Sequence, residues 1–219
     1  MLPEIREKYA RQALEAIRAT TVFRGQWCGA DGIRTNLPTI SFGTRETAAL
    51  YASQPNDRSL AAGRILHPRI WEVRLAVQKP YVLIEQDDED PFFDLDVIAL
   101  EFGRDVLRAV ARDCSAAIQD TGGYDEIHRE TGMYLGEMIE AWPERLDRLP
   151  PVLGFRALEV PEFVQALKDA GYDSVCLGGF GENSLEHEWH LFDADLAVDV
   201  ETGEPVGWAC QEEEASLSM

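Results

Sequence analysis

Residues 171–198 read GYDSVCLGGFGENSLEHEWHLFDADLAV. Tyr172–Leu177 predicts a strand. Gly178, Gly179 and Gly181 predict a loop over 178–187. Glu188–Phe192 and Leu196–Val200 predict two more strands, so the end of the chain is β-rich. Just upstream, Glu162–Ala170 reads as a helix, with Pro161 in its first turn and Gly171 as its C-cap.

The first third has the same β character. Residues 3–19 predict an amphipathic helix, with Ile5, Tyr9, Ala13 and Ile17 at i+4 steps. Thr20–Phe23 predicts a short strand ending at Arg24-Gly25, followed by a loop over 26–38. Thr39–Phe42 is strand-like, and Thr44 is placed to N-cap a helix over Glu46–Ser53. Ile70–Val77 alternates apolar and polar residues and is the clearest strand. Tyr81–Ile84 comes after Pro80. Residues 85–101 contain eight acids and no base, and predict an exposed loop leading into a helix. Helical patterns cover about 95–119 and 126–141, and Pro143, Pro150 and Pro151 break the chain beyond them. Strands at both ends around a helical block indicate an α+β fold rather than alternating βα units. The expected organisation is one domain over 1–219, with a helical insertion at about 85–160 and an acidic tail at about 201–219.

The 219 residues carry a net charge of −20, unevenly spread. Residues 1–80 hold 12 Lys/Arg against 7 Asp/Glu, residues 81–168 hold 8 against 20, and residues 169–219 hold none against 13. Such an acidic chain repels phosphate backbones, so nucleic acid is not an expected partner. The same acids also serve solubility. A small anionic ligand is expected to seek the net-positive first third. No stretch approaches the run of about 18 apolar residues that a membrane helix needs. The first residues lack the apolar core of a secretory signal. Four separated cysteines form no C-x-x-C pair. A cytoplasmic protein without a membrane partner is therefore expected. His67, His128, His187 and His190 do not sit at ligand spacing, and His187 and His190 fall on alternate strand faces, so no metal is expected. No Gly-x-Gly-x-x-Gly follows a strand, which argues against a Rossmann dinucleotide site.

Four local features remain: Arg24-Gly25 at a strand end, Thr39 and Ser41 on one strand face, Tyr51 on the next helix, and Glu186 and Glu188 on one face at a strand entry. Singly, each has an ordinary explanation. The arginine suits a surface ion pair, the hydroxyls suit β-propensity, the tyrosine suits core packing, and the carboxylates suit edge protection.

In their order they resemble the ADP-ribosyltransferase superfamily, on its Arg-Ser-Glu branch. VFRG (22–25), TISFGTRETAALYA (39–52), WEVRLAVQKPYVLI (71–84) and residues 171–198 carry the resemblance. The strand motif departs from Ser-Thr-Ser in having Thr39 first and Ile40 in the middle. Tyr51 adds a trace of the His-Tyr-Glu branch. The helical block has no counterpart in the resemblance.

The resemblance implies an ADP-ribosyltransferase-like split β-sandwich that uses NAD as a substrate and cleaves its nicotinamide glycosidic bond. A carboxylate stabilises the developing ribosyl cation, the problem glycosidases also solve. By this resemblance Glu188 is the catalytic carboxylate, and Arg24 contacts phosphate or ribose through its fixed fork of donors. Ser41 holds Arg24 or Glu188, with Thr39 as the other hydroxyl of the motif. Gly25 allows close approach of the nicotinamide amide, and Phe42 or Tyr51 stacks on its ring. Glu186 implies transfer of ADP-ribose to an arginine of a target protein, as expected of a toxin, effector or phage protein. The alternatives are an NAD glycohydrolase using water, and a catalytically inactive acidic binding protein or inhibitor on the same fold. An RNA 2′-phosphotransferase fits the charge poorly.

Overall fold

The computed structural model describes residues 3–28, 33–35, 37–54, 66–84, 91–118, 122–178 and 187–210. The fold is α+β, with several sheets. The chain begins with helix α1 (Pro3–Arg18), strand β1 (Val22–Cys28), β2 (Ile33–Thr35) and β3 (Ile40–Phe42). Helix α2 (Arg45–Ser53) is next, with the Thr44 hydroxyl accepting from the Thr47 backbone N–H at 3.2 Å. That cap is worth about 1 kcal/mol. Then come β4 (His67–Leu75) and β5 (Pro80–Ile84).

The middle of the chain comprises β6 (Phe92–Phe93), α3 (Leu95–Phe102), α4 (Arg104–Ile118), α5 (Gly122–Thr131), α6 (Leu135–Ala141), β7 (Val152–Leu153) and the single-turn α7 (Gly154–Ala157). The last part holds α8 (Pro161–Asp169), β8 (Ser174–Gly178), β9 (His187–Leu191), β10 (Ala197–Asp199) and β11 (Trp208–Cys210).

Two sheets make the body. One has the order β1-β4-β10 and the other β3-β9-β8-β5. Within these two sheets all pairs are antiparallel except β5 with β8. A bridge between Phe23 and Gly43, with N–H to carbonyl distances of 2.9 Å both ways, ties β1 to the chain just after β3. One core contains Val22, Trp71 and Val73 from the first sheet, Ile40, Phe42, Val82, Trp189 and Leu191 from the second, and Ala13 and Ile17 of α1. The other joins the helices to the opposite face of the second sheet through Tyr81, Leu83, Val175 and Leu177.

Several boundaries differ from expectation. β1 runs on to Cys28, so Arg24 sits inside a strand rather than at its end, because pairing with β4 continues to His67. Residues 33–35, expected in a loop, form β2 because Trp208–Cys210 pair with them in parallel. The pattern over 95–119 breaks into two helices at Gly103, whose φ of 90° a side-chain-bearing residue would strain to adopt. The pattern over 126–141 breaks between Thr131 and Leu135. The short β6–β7 ladder inside the helical block had no legible signal in two-residue strands.

An ion pair fastens α1 to this framework. Both terminal nitrogens of Arg6 donate to Glu101 of α3 at 2.7 Å, and the guanidinium lies 4.2 Å from the Tyr81 ring centroid. The Tyr81 hydroxyl donates to the same carboxylate at 3.2 Å.

Candidate active site

β3 and β9 supply most of the site. Directly opposed residues in a ladder share a face. Ser41 lies opposite His190, His190 opposite Val175, and Val175 opposite Tyr81; Glu188 lies opposite Leu177, which lies opposite Leu83. One face of the second sheet therefore changes character along its width. Its β5–β8 end is apolar and covered by the helices, while its β9–β3 end carries Glu188, His190, Ser41 and, one residue before the strand, Thr39. The helical block is the wall beside this polar strip.

Arg24 enters from β1. Its Nη1 donates to the Ser41 carbonyl at 2.9 Å and to the Ser41 hydroxyl at 3.3 Å. Its Nε is buried without a hydrogen-bond partner. Burial brings the guanidinium down to about 10, with Glu188 and then Tyr51 opposing the shift, so it stays charged near neutrality.

For Glu188, burial pushes the carboxyl pKa up. His190, the Ser41 hydroxyl and the Arg24 charge outweigh it and hold the group below the usual carboxylate range. The burial is uneven, since the Glu188 side chain is 46% exposed. Its carboxylate is thus ionised, held from the protein side and open on the other.

The structure gathers Arg24, Ser41 and Glu188 from three strands that are remote in sequence. Thr39 is buried, and its hydroxyl is 3.2 Å from His190 Nδ1. Tyr51 stands 61% exposed on α2, near enough to Arg24 to act on its charge. It is not the core residue its helical spacing suggests.

Phe42 is a correction. It is 1% exposed and packs with Ile40 and Trp189 in the inter-sheet core, because strand alternation turns it away from Ser41. It cannot stack on a ligand in this site. Gly25 has a different reason from the expected one. A Cβ there would lie 1.6 Å from the Ala48 carbonyl oxygen, so the glycine admits the α2 backbone onto β1. Of the loop expected over 178–187, Gly178 ends β8 and His187 opens β9, while residues 179–186, Glu186 among them, lie outside the described residues.

His190 is the residue that sequence reasoning missed. Its Nε2 lies 3.3 Å from Glu188 Oε1, with the ring N–H off the line to that oxygen, so the contact has ion-pair distance without a directed hydrogen bond. The signal was available: two residues along a strand from Glu188 is the same face.

A groove of about 760 Å³ lies elsewhere, lined in part by Glu101, Phe102, Val106, Glu162 and Ala166, and shares no residue with this cluster. Among the described residues, no three His, Cys, Asp or Glu side chains converge as metal ligands, and no helix is long and apolar enough to cross a membrane. Scanned against protein-family models, curated proteins and solved structures, the chain matches none.

Proposed function

We propose that this protein is an NAD-dependent mono-ADP-ribosyltransferase that transfers ADP-ribose to a protein side chain, arginine by preference. One observation carries the reading. Arg24, Ser41 and Glu188, picked out by their order in the sequence, meet in one cluster in which Arg24 bonds Ser41 and both bear on the Glu188 carboxylate. Two sheets bridged at Phe23 and Gly43, with this cluster beside the bridge, agree with an ADP-ribosyltransferase-like split sandwich.

The reaction asks for what these residues offer. The bond between nicotinamide and ribose C1′ breaks, and its electron pair leaves with nicotinamide. Positive charge develops on the ribose, and the ionised Glu188 stabilises it in a site partly shielded from water. Arg24 offers its charge to a phosphate or ribose oxygen. Ser41 fixes Arg24 relative to Glu188. The acceptor nucleophile bonds to C1′ and gives up its proton. Tyr51, exposed beside Arg24, offers an aromatic face to nicotinamide.

Nicotinamide release from labelled NAD, with and without a cell lysate, tests the reading. Label on protein, lost in Glu188→Gln, supports the transferase. Nicotinamide release without protein labelling makes the enzyme a glycohydrolase instead. No release under any condition removes the enzymatic reading and leaves an acidic binding protein.

A further inference from the structure

We infer that His190 is a positioning residue that orients the Glu188 carboxylate, and that Thr39 holds its ring by donating to Nδ1. This deepens the reading of the site as an NAD-cleaving centre and rests on it. His190 is 6% exposed on the Glu188 face of β9, directly across the ladder from Ser41. Its two ring nitrogens point to different partners, Nδ1 to Thr39 Oγ1 at 3.2 Å and Nε2 to Glu188 Oε1 at 3.3 Å.

The donor inventory chooses between the tautomers. An ionised carboxylate only accepts, whereas a threonine hydroxyl donates or accepts. With the proton on Nε2, the ring donates toward Glu188 and Nδ1 accepts from Thr39, so every group is matched. With the proton on Nδ1, a nitrogen lone pair faces a carboxylate in a partly buried site, which is unfavourable where the local dielectric is low. A buried Thr39 hydroxyl therefore has a role that β-propensity does not supply. Protonation of the ring leaves the arrangement intact, since both nitrogens then donate and Thr39 accepts.

The Nε2–H is off line in the free protein, and the half-exposed Glu188 has a soft terminal torsion. Rotation of the carboxylate toward Nε2 completes the bond when the catalytic group meets its substrate. Glu188 is then gripped from two sides, by the Thr39–His190 pair and by the Arg24–Ser41 pair.

Steady-state nicotinamide release separates this role from plain packing. In His190→Phe, which keeps the ring shape without donors, kcat is expected to fall roughly ten- to hundredfold with KM for NAD unchanged. His190→Gln places an amide donor near Nε2 and is expected to recover part of kcat. Thr39→Val is expected to lower kcat severalfold. Unchanged kcat in His190→Phe and Thr39→Val, or a rise in KM alone, overturns the inference while the proposed function stands. Should His190→Phe not fold, judged by its thermal melt, His190→Gln and Thr39→Val decide the matter. If the wild-type protein releases no nicotinamide, the proposed function falls first. Nitrogen NMR of the histidine rings then decides the geometry: an Nε2–H tautomer in the wild type upholds it, and an Nδ1–H tautomer overturns it.

Discussion

Arg24 Nη1 donates at once to the carbonyl and to the hydroxyl of Ser41, at 2.9 and 3.3 Å. The first bond uses the backbone and survives any side chain at position 41. The second passes through the one atom that also bears on Glu188. Ser41 thus anchors Arg24 twice and couples it to Glu188 once.

Ser41→Ala separates those two functions. Arg24 keeps its carbonyl partner, so affinity for NAD is expected to change little. Glu188 loses a hydroxyl partner, and kcat is expected to fall roughly tenfold, as for loss of one hydrogen bond to a charged group. Initial-rate kinetics across NAD concentrations reads both parameters.

Glu188→Gln keeps the shape of the side chain and removes its charge. Loss of one preorganised electrostatic stabiliser is typically worth about 100-fold or more in rate. Nicotinamide release is expected to drop at least that far, with a modestly lower melting temperature because the charge that His190, Ser41 and Arg24 stabilise is gone. A variant retaining full turnover assigns the chemistry to another group.

Gly25→Ala tests the packing of α2. The new methyl meets the Ala48 carbonyl at 1.6 Å, so the helix and strand must part. Overpacking of this kind costs about 1–3 kcal/mol, and backbone here cannot yield as a side-chain tip does. Urea denaturation is expected to show a lower midpoint with the same slope.

Arg6→Met tests the fastening of α1. It removes two 2.7 Å bonds to Glu101 and the cation from over Tyr81. Glu101 keeps some exposure, which tempers the effect to about 1–3 kcal/mol. The loss is expected in equilibrium unfolding, with any nicotinamide release unchanged.

Acid stability carries two distinguishable contributions. Burial lowers the pKa of His187, so the unfolded chain takes up its proton first as pH falls through about 6.5, and stability declines from there. The lowered pKa of Glu188 acts at lower pH. Its stabilisation is complete above the ordinary carboxylate value of about 4.3 and is lost as pH falls through the folded-state value. Unfolding free energy measured against pH is expected to flatten near neutrality in His187→Phe and at acid pH in Glu188→Gln.

Local pattern determined much of this protein. Alternation in Trp71–Leu75, the Thr44 cap and the Pro161 helix start each depend on neighbours a few residues away, and they were legible for that reason. The order of Arg24, Ser41 and Glu188 was legible too, as was the shared face of Thr39 and Ser41. What lay beyond reach depends on partners remote in the chain. β2 exists because Trp208–Cys210 return to pair with it, and Gly25 matters because the α2 backbone comes down on β1. Phe42 turns inward because a second sheet waits behind it to bury it. The same tertiary packing brings Thr39, 151 residues away in sequence, against His190. Period-two spacing placed His190 on the Glu188 face, but only the pairing of β3 with β9 decided what its other nitrogen would meet.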